Sequence, residues 1–148
     1  MSAAEPVCHT LSCGATLAVE HMPGARSTAV AWLLPVGTSG DAPEHEGEST
    51  VLSELILRGA GPLASRDLSN AFDALGAQRH GSPAVHHISL GALCLGDRLH
   101  ELLRLLTLVV RQPRMEPASL DAVRALAVQA LDSLKDEPQQ LAGLALRE

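Results

Sequence analysis

Aromatic residues are almost missing from this chain. Trp32 and Phe72 are the only two in 148 residues, and there is no tyrosine. With a formal net charge of −6 the chain also lacks a basic surplus. Nucleic-acid binding wants a basic face and stacking rings, so that class is set aside. No apolar run is long enough to span a bilayer, and the opening Met-Ser-Ala-Ala-Glu-Pro has neither the charged nor the apolar region of a signal peptide. A cytoplasmic protein without membrane or nucleic-acid partners is expected. The three cysteines, Cys8, Cys13 and Cys94, have no CxxC spacing. Cys8 and Cys13 flank a turn and could approach one another. Reduced, partly buried thiols are the favoured reading. There is no GxSxG elbow, no GxGxxG and no phosphate-binding loop.

What the chain does have is aliphatic: 46% of it is hydrophobic, enough for a core within one domain spanning residues 1–148. Val7 to Leu11 and Thr16 to His21 read as strands of a hairpin turning at Ser12-Cys13-Gly14. Thr28 to Leu34 is a near-continuous apolar run, which predicts an interior strand buried on both faces. Pro35 to Pro43 reads as a loop. A helix is predicted from Gly47 to Gly59, with Val51, Leu52, Leu55 and Ile56 on one face and Thr50, Ser53, Glu54 and Leu57 on another. Ser65 is placed as the N-cap of a second helix, with Leu68, Ala71, Phe72 and Leu75 inward and Gly76 as its stop.

Strands follow near Gln78 to Gly81 and from Ala84 to Leu95. Gly96-Asp97 opens a helix with Leu99, Leu102, Leu103, Leu106, Val109 and Val110 on one face, ended by Pro113. A long helix runs from Ser119 to about Lys135 with Leu120, Val123, Ala127, Ala130, Leu131 and Leu134 inward. After Asp136-Glu137-Pro138 a last helical segment, Gln139 to Glu148, has no stop signal. The order β-β-β-α-α-β-β-α-α-α predicts an α+β fold, a mixed or antiparallel sheet with helices packed on one side. No internal repeat or linker interrupts it.

The stretch from Gly47 to Gly59 resembles the zinc helix of the pitrilysin/insulinase-type peptidases, the inverted zincins. Gly47, Leu52, Leu55, Ile56, Arg58 and Gly59 keep that helix's frame. Leu11-x-x-Gly14 with Leu17, Gly37-Thr38-Ser39, Leu75-Gly76-Ala77 and Asp136-x-Pro138 resemble further family landmarks, in order along nearly the whole chain. The family's H-x-x-E-H puts two imidazoles on one helical face to bind Zn²⁺, with a glutamate to take a proton from metal-bound water. Carried onto this chain, the first histidine falls on Thr50, the glutamate on Ser53 and the second histidine on Glu54. The third ligand, a glutamate before the D-x-P, falls on Gln129 or Ala130. All four positions are replaced.

The resemblance therefore implies a non-catalytic homologue. No cofactor is expected. Its partner would be a homologous catalytic subunit, a sister domain or a second copy, with an extended peptide bound between them by addition to a sheet edge. It also implies that the family's domain continues past the point where this chain ends.

Two other readings stand beside it. An active zinc metalloendopeptidase would need relocated ligands drawn from His45, His80, His86, His87 and Glu54. Here His80, His86 and His87 cluster around one turn, with His86 and His87 on opposite sheet faces. His45-Glu46-Gly47-Glu48-Ser49 only narrowly misses H-E-x-x-H, but it straddles a loop. An unrelated α+β domain would lack a helix at Gly47 to Gly59 facing the helix that begins at Ser119. Glu44, Glu46 and Glu48 read as solvated acids, or as favourable charge near a helix N-terminus.

Overall fold

The structure, a computed structural model, describes residues 5–134 and Pro138. Lys135, Asp136, Glu137 and the segment 139–148 lie outside the described residues, and with them the expected end of the long helix and the final helical segment. The first two strands, β1 (Val7–Thr10) and β2 (Thr16–Val19), pair antiparallel as the expected hairpin. They form a separate two-stranded sheet, and every residue in both is exposed.

The main sheet has the order β3-β7-β6 and is antiparallel throughout. Its strands are β3 (Ser27–Leu34), β6 (Gln78–Pro83) and β7 (Ile88–Leu95). Side chains alternate across a strand, and one face gathers the core. Ile88, Leu90, Ala92 and Cys94 of β7 are buried. Their cross-strand partners on β3 are Leu34, Trp32, Val30 and Thr28. Helices cover this face: α1 (Glu48–Leu55), α2 (Ser65–Ala74) and α3 (Leu99–Arg111) bring Leu68, Phe72, Leu102, Leu106 and Val109, and Ile56 at the end of α1 adds to them, in one cluster. Full burial of each large apolar side chain contributes about 1.5–3 kcal/mol. The opposite face carries Ala29, Ala31, Leu33, Leu93 and Leu95, all exposed. The α+β architecture with helices on one side is as expected.

Several local expectations are corrected. Among the described residues strand β3 is not interior or buried on both faces: it pairs there with β7 alone and alternates between exposed and half-buried. Its outward residues Ala29 and Ala31 are small, so an apolar run did not signal double burial. The break at residues 60–62 lies within a short ribbon, β4 (Gly59–Ala60) against β5 (Leu63–Ala64). There Gly59 has φ 135°, a conformation that side-chain-bearing residues avoid. Ser65 is not the N-cap; Ala64 occupies it, with no side-chain cap bond. The helix from Gly96 begins as a single 3-10 turn, Gly96–Arg98, before α3. The long helix, α4 (Pro117–Leu134), starts two residues early because Pro117 is well suited to a first helical turn. On its expected inner side Val123 is buried and Ala127 half-buried, whereas Leu120, Ala130 and Leu131 are exposed. Cys94 is buried, but Cys8 and Cys13 are fully outside rather than partly buried, and all three are free.

Candidate functional site

Helix α1 carries the residues that the sequence singled out, and a remote carboxylate fixes its start. Asp41, in the preceding loop, accepts the backbone N–H of Gly47 at 3.1 Å and that of Ser49 at 3.1 Å. It also accepts the Ser49 hydroxyl in a short bond. These are amides at a helix start that have no partner within the helix. The Ser49 hydroxyl, followed by burial acting the other way and the two backbone N–H bonds, holds Asp41 below its ordinary carboxylate value. Ser49 itself is only 1% exposed. Sequence reading missed this cap because Asp41 lies eight residues from Ser49, outside the local spacing that marks an N-cap.

Along the helix, Thr50 is half-buried, Ser53 is buried and Glu54 is exposed. The Ser53 hydroxyl donates to the Thr50 carbonyl at 2.8 Å, folding back onto its own helix as serines in helices do. Above it lies β6. A Cβ at Gly81 would fall 2.2 Å from the Ser53 carbonyl oxygen, so only a glycine lets this strand and helix approach so closely. Glu54 lines a cleft of about 620 Å³ that is also bordered by Arg58, Asp73, Arg79, His80 and Gly81. In that wall Arg79 is anchored twice, over the Phe72 ring at 4.7 Å and to the Ser69 hydroxyl at 2.8 Å.

Helix α1 packs against α4, so the scaffold brings the two expected helices together. The unrelated-domain alternative required that this pairing be absent. On α4 both candidate third positions, Gln129 and Ala130, are exposed. The Gln129 carbonyl accepts the Ser133 hydroxyl at 2.9 Å.

The histidines are dispersed. His45 ends an exposed 3-10 turn, Pro43–His45. His80 lies on the open face of the sheet, its ring occupying the space above Gly91. His86 and His87 sit in the β6–β7 connection rather than on a strand, so strand alternation does not set their directions. His86 Nδ1 is 3.1 Å from the Ser39 hydroxyl, beside a second cleft of about 360 Å³ that includes Asp41 and Ser49. His80 and His86 are exposed, and His86 is hydrogen-bonded, as ordinary surface histidines are. Among the described residues, no group of three or more His, Cys, Asp or Glu side chains is arranged to hold a metal ion.

These residues do not fit a catalytic zinc. Two of the three positions on α1 carry neutral hydroxyls, which are weak ligands, and Ser53 has already committed its proton to a carbonyl. Glu54 alone supplies a carboxylate. Gln129 and Ala130 supply none.

Comparison with known proteins agrees with this scaffold. The family described as insulinase (peptidase family M16) matches residues 16–148. An uncharacterized zinc protease of Mycobacterium leprae (strain TN) is 25% identical over 93% of this chain and 31% of its own length. Among solved structures, a peptidase M16 inactive domain from Pseudomonas fluorescens superposes with a TM-score of 0.82 at 17% identity, covering 97% of this chain and 35% of that one. Pitrilysin superposes with a TM-score of 0.72 at 20% identity, covering 81% and 13%. This chain thus spans about a third or less of the length of these relatives.

Proposed function

The chain belongs to the insulinase family, peptidase family M16, and we propose that it is a member without zinc chemistry. Its work is structural: it pairs with a catalytic subunit or sister domain and helps to hold an extended peptide. The observation that carries this reading is the state of Ser53. At the position where the family's proton acceptor would stand, a hydroxyl is buried to 1% and turned back onto the Thr50 carbonyl. Neighbouring ligand positions hold Thr50 and Glu54, and Gln129 or Ala130 across the helix pair. The inactive M16 domain with the same fold is consistent with such a role.

The polar cleft beside Glu54 offers charges of both signs, from Arg58, Arg79, Asp73 and Glu54, and suits a peptide backbone with mixed side chains. Cytoplasmic residence is part of the same proposal. Among the described residues no helix is long and apolar enough to cross a membrane.

The active-peptidase alternative would draw on Glu54 and His80, which both border this cleft, but the His80 ring lies over Gly91 on the open face of the sheet, away from α1. Peptide hydrolysis by the purified chain, assayed with added zinc and with a chelator, separates the two readings. Absence of chelator-sensitive cleavage is expected. Cleavage that zinc restores would overturn the proposal.

A further inference from the structure

Arg79 is a charged residue on the core-facing side of a strand. Its register partner on β7 is the buried Ala92, so its side chain stands on the face that the helices cover. There it is half-buried. A partly desolvated cation is costly unless it is hydrogen-bonded or paired. What the fold supplies is neutral: the Phe72 ring at 4.7 Å and the Ser69 hydroxyl at 2.8 Å. Both belong to α2, so one helix holds the guanidinium at two points. Ion pairs join Arg98 to Glu101 and Arg114 to Glu116, but neither Arg79 nor the half-buried Arg58 is in one among the described residues. Ser69 occupies one N–H of a planar fork that has several. Arg58 and Arg79 border the same cleft of about 620 Å³.

We propose that this cleft takes a carboxylate at Arg79, with Arg58 as a second positive charge beside it. The inference rests on the peptide-holding role proposed above and names what the peptide brings: an acidic side chain or its own C-terminal carboxyl group. A carboxylate matches the guanidinium fork and can accept two parallel N–H bonds from it. Because Phe72 and Ser69 already hold the fork, little side-chain freedom is lost when a ligand docks.

Two acids, Glu54 and Asp73, line the cleft as well. Both are exposed, so water and salt screen them, whereas the arginines are half-buried. Their charge opposes a doubly charged group more than a singly charged one, which favours a carboxylate over a phosphate.

NMR titration of the isotope-labelled whole chain is the experiment, following the Arg79 Nε–H signal. The probes are short acetylated Ala-Ser peptides: one with a central glutamate and an amidated end, one with a central glutamine and a free carboxyl end, and one with a central glutamine and an amidated end. At least one carboxylate form is expected to bind about tenfold tighter than the neutral form and to move the Arg79 signal. Which form does so tells a side-chain carboxylate from a chain end. Arg79→Lys keeps the charge without the fork, and Ser69→Ala removes one anchor; each is expected to cut that preference to about threefold or less. Equal binding of all the peptides overturns this inference and leaves peptide holding intact, while binding of none overturns both. A preference that survives both substitutions, or a phosphoserine form that binds tighter than the glutamate form, also overturns the assignment.

Discussion

Replacing Gly81 with alanine tests whether α1 is seated on β6 as closely as described. The added methyl would lie 2.2 Å from the Ser53 carbonyl oxygen and 3.1 Å from its carbonyl carbon. Ordinary contact lies near 3.5 Å, so a separation of about 1 Å or more must be made. Both obstructing atoms are backbone, and no rotamer change relieves them. The whole helix has to rise from the strand, which also disturbs Ile56 and Leu57 against the core. Overpacking of this kind costs about 1–3 kcal/mol, and the upper half of that range is expected here. At this chain length each kcal/mol moves Tm by roughly 4 °C.

The control is Gly91→Ala, on the neighbouring strand β7 and one register position from the partner of Gly81. Its methyl would meet the His80 ring at 2.0 Å, an even shorter distance. That ring belongs to an exposed side chain, which can swing aside. A cost under about 1 kcal/mol is expected for it. Urea denaturation of both variants gives the comparison. If Gly81→Ala costs no more than Gly91→Ala, the close seat of α1, and with it the burial of Ser53, is wrong.

Other perturbations follow from the same geometry. Asp41→Asn removes the carboxylate that caps α1. Because folding lowers the Asp41 pKa below its ordinary value of 3.8, its stabilisation is present above that value and fades as pH falls through the folded pKa. The stability gap between wild type and Asp41→Asn should therefore be wide at neutral pH and close in acid; a gap independent of pH would contradict the cap. Phe72→Ala, at 0% exposure and beneath Arg79, should cost about 3–5 kcal/mol in the same denaturation assay. Thiol titration of the native protein should modify Cys8 and Cys13 at once and Cys94 only on unfolding, since burial shields that thiol and raises its pKa. Rapid labelling of all three would contradict the buried face of β7.

The elements that sequence revealed were those with strong local signals. Helical spacing in 47–59 and 99–111 and the glycines at 47 and 76 located the start of α1, and α2 and α3 within a residue or two, whereas α1 ends at Leu55, short of the expected stop at Gly59, which begins β4. The hairpin and the α+β order were legible for the same reason. What escaped was non-local. Asp41 caps a helix from across a loop. The neighbour of β3 is set by tertiary pairing, and its alanines gave no sign of which face meets water. His86 looked like a strand residue because the apolar run of β7 begins just beyond it. At the candidate site, the replaced positions Thr50, Ser53 and Glu54 could be named from spacing. That Ser53 is sealed beneath Gly81 could not, because it depends on how closely a strand passes a helix.

Metal content tests the central claim most directly. The purified chain, equilibrated with excess zinc and then dialysed into metal-free buffer, is measured by elemental analysis. Zinc well below one equivalent is the result predicted from hydroxyls at Thr50 and Ser53 and from Gln129 or Ala130 at the third position. One zinc held per chain would contradict it, and would return Glu54, His80 and the remaining histidines to the site.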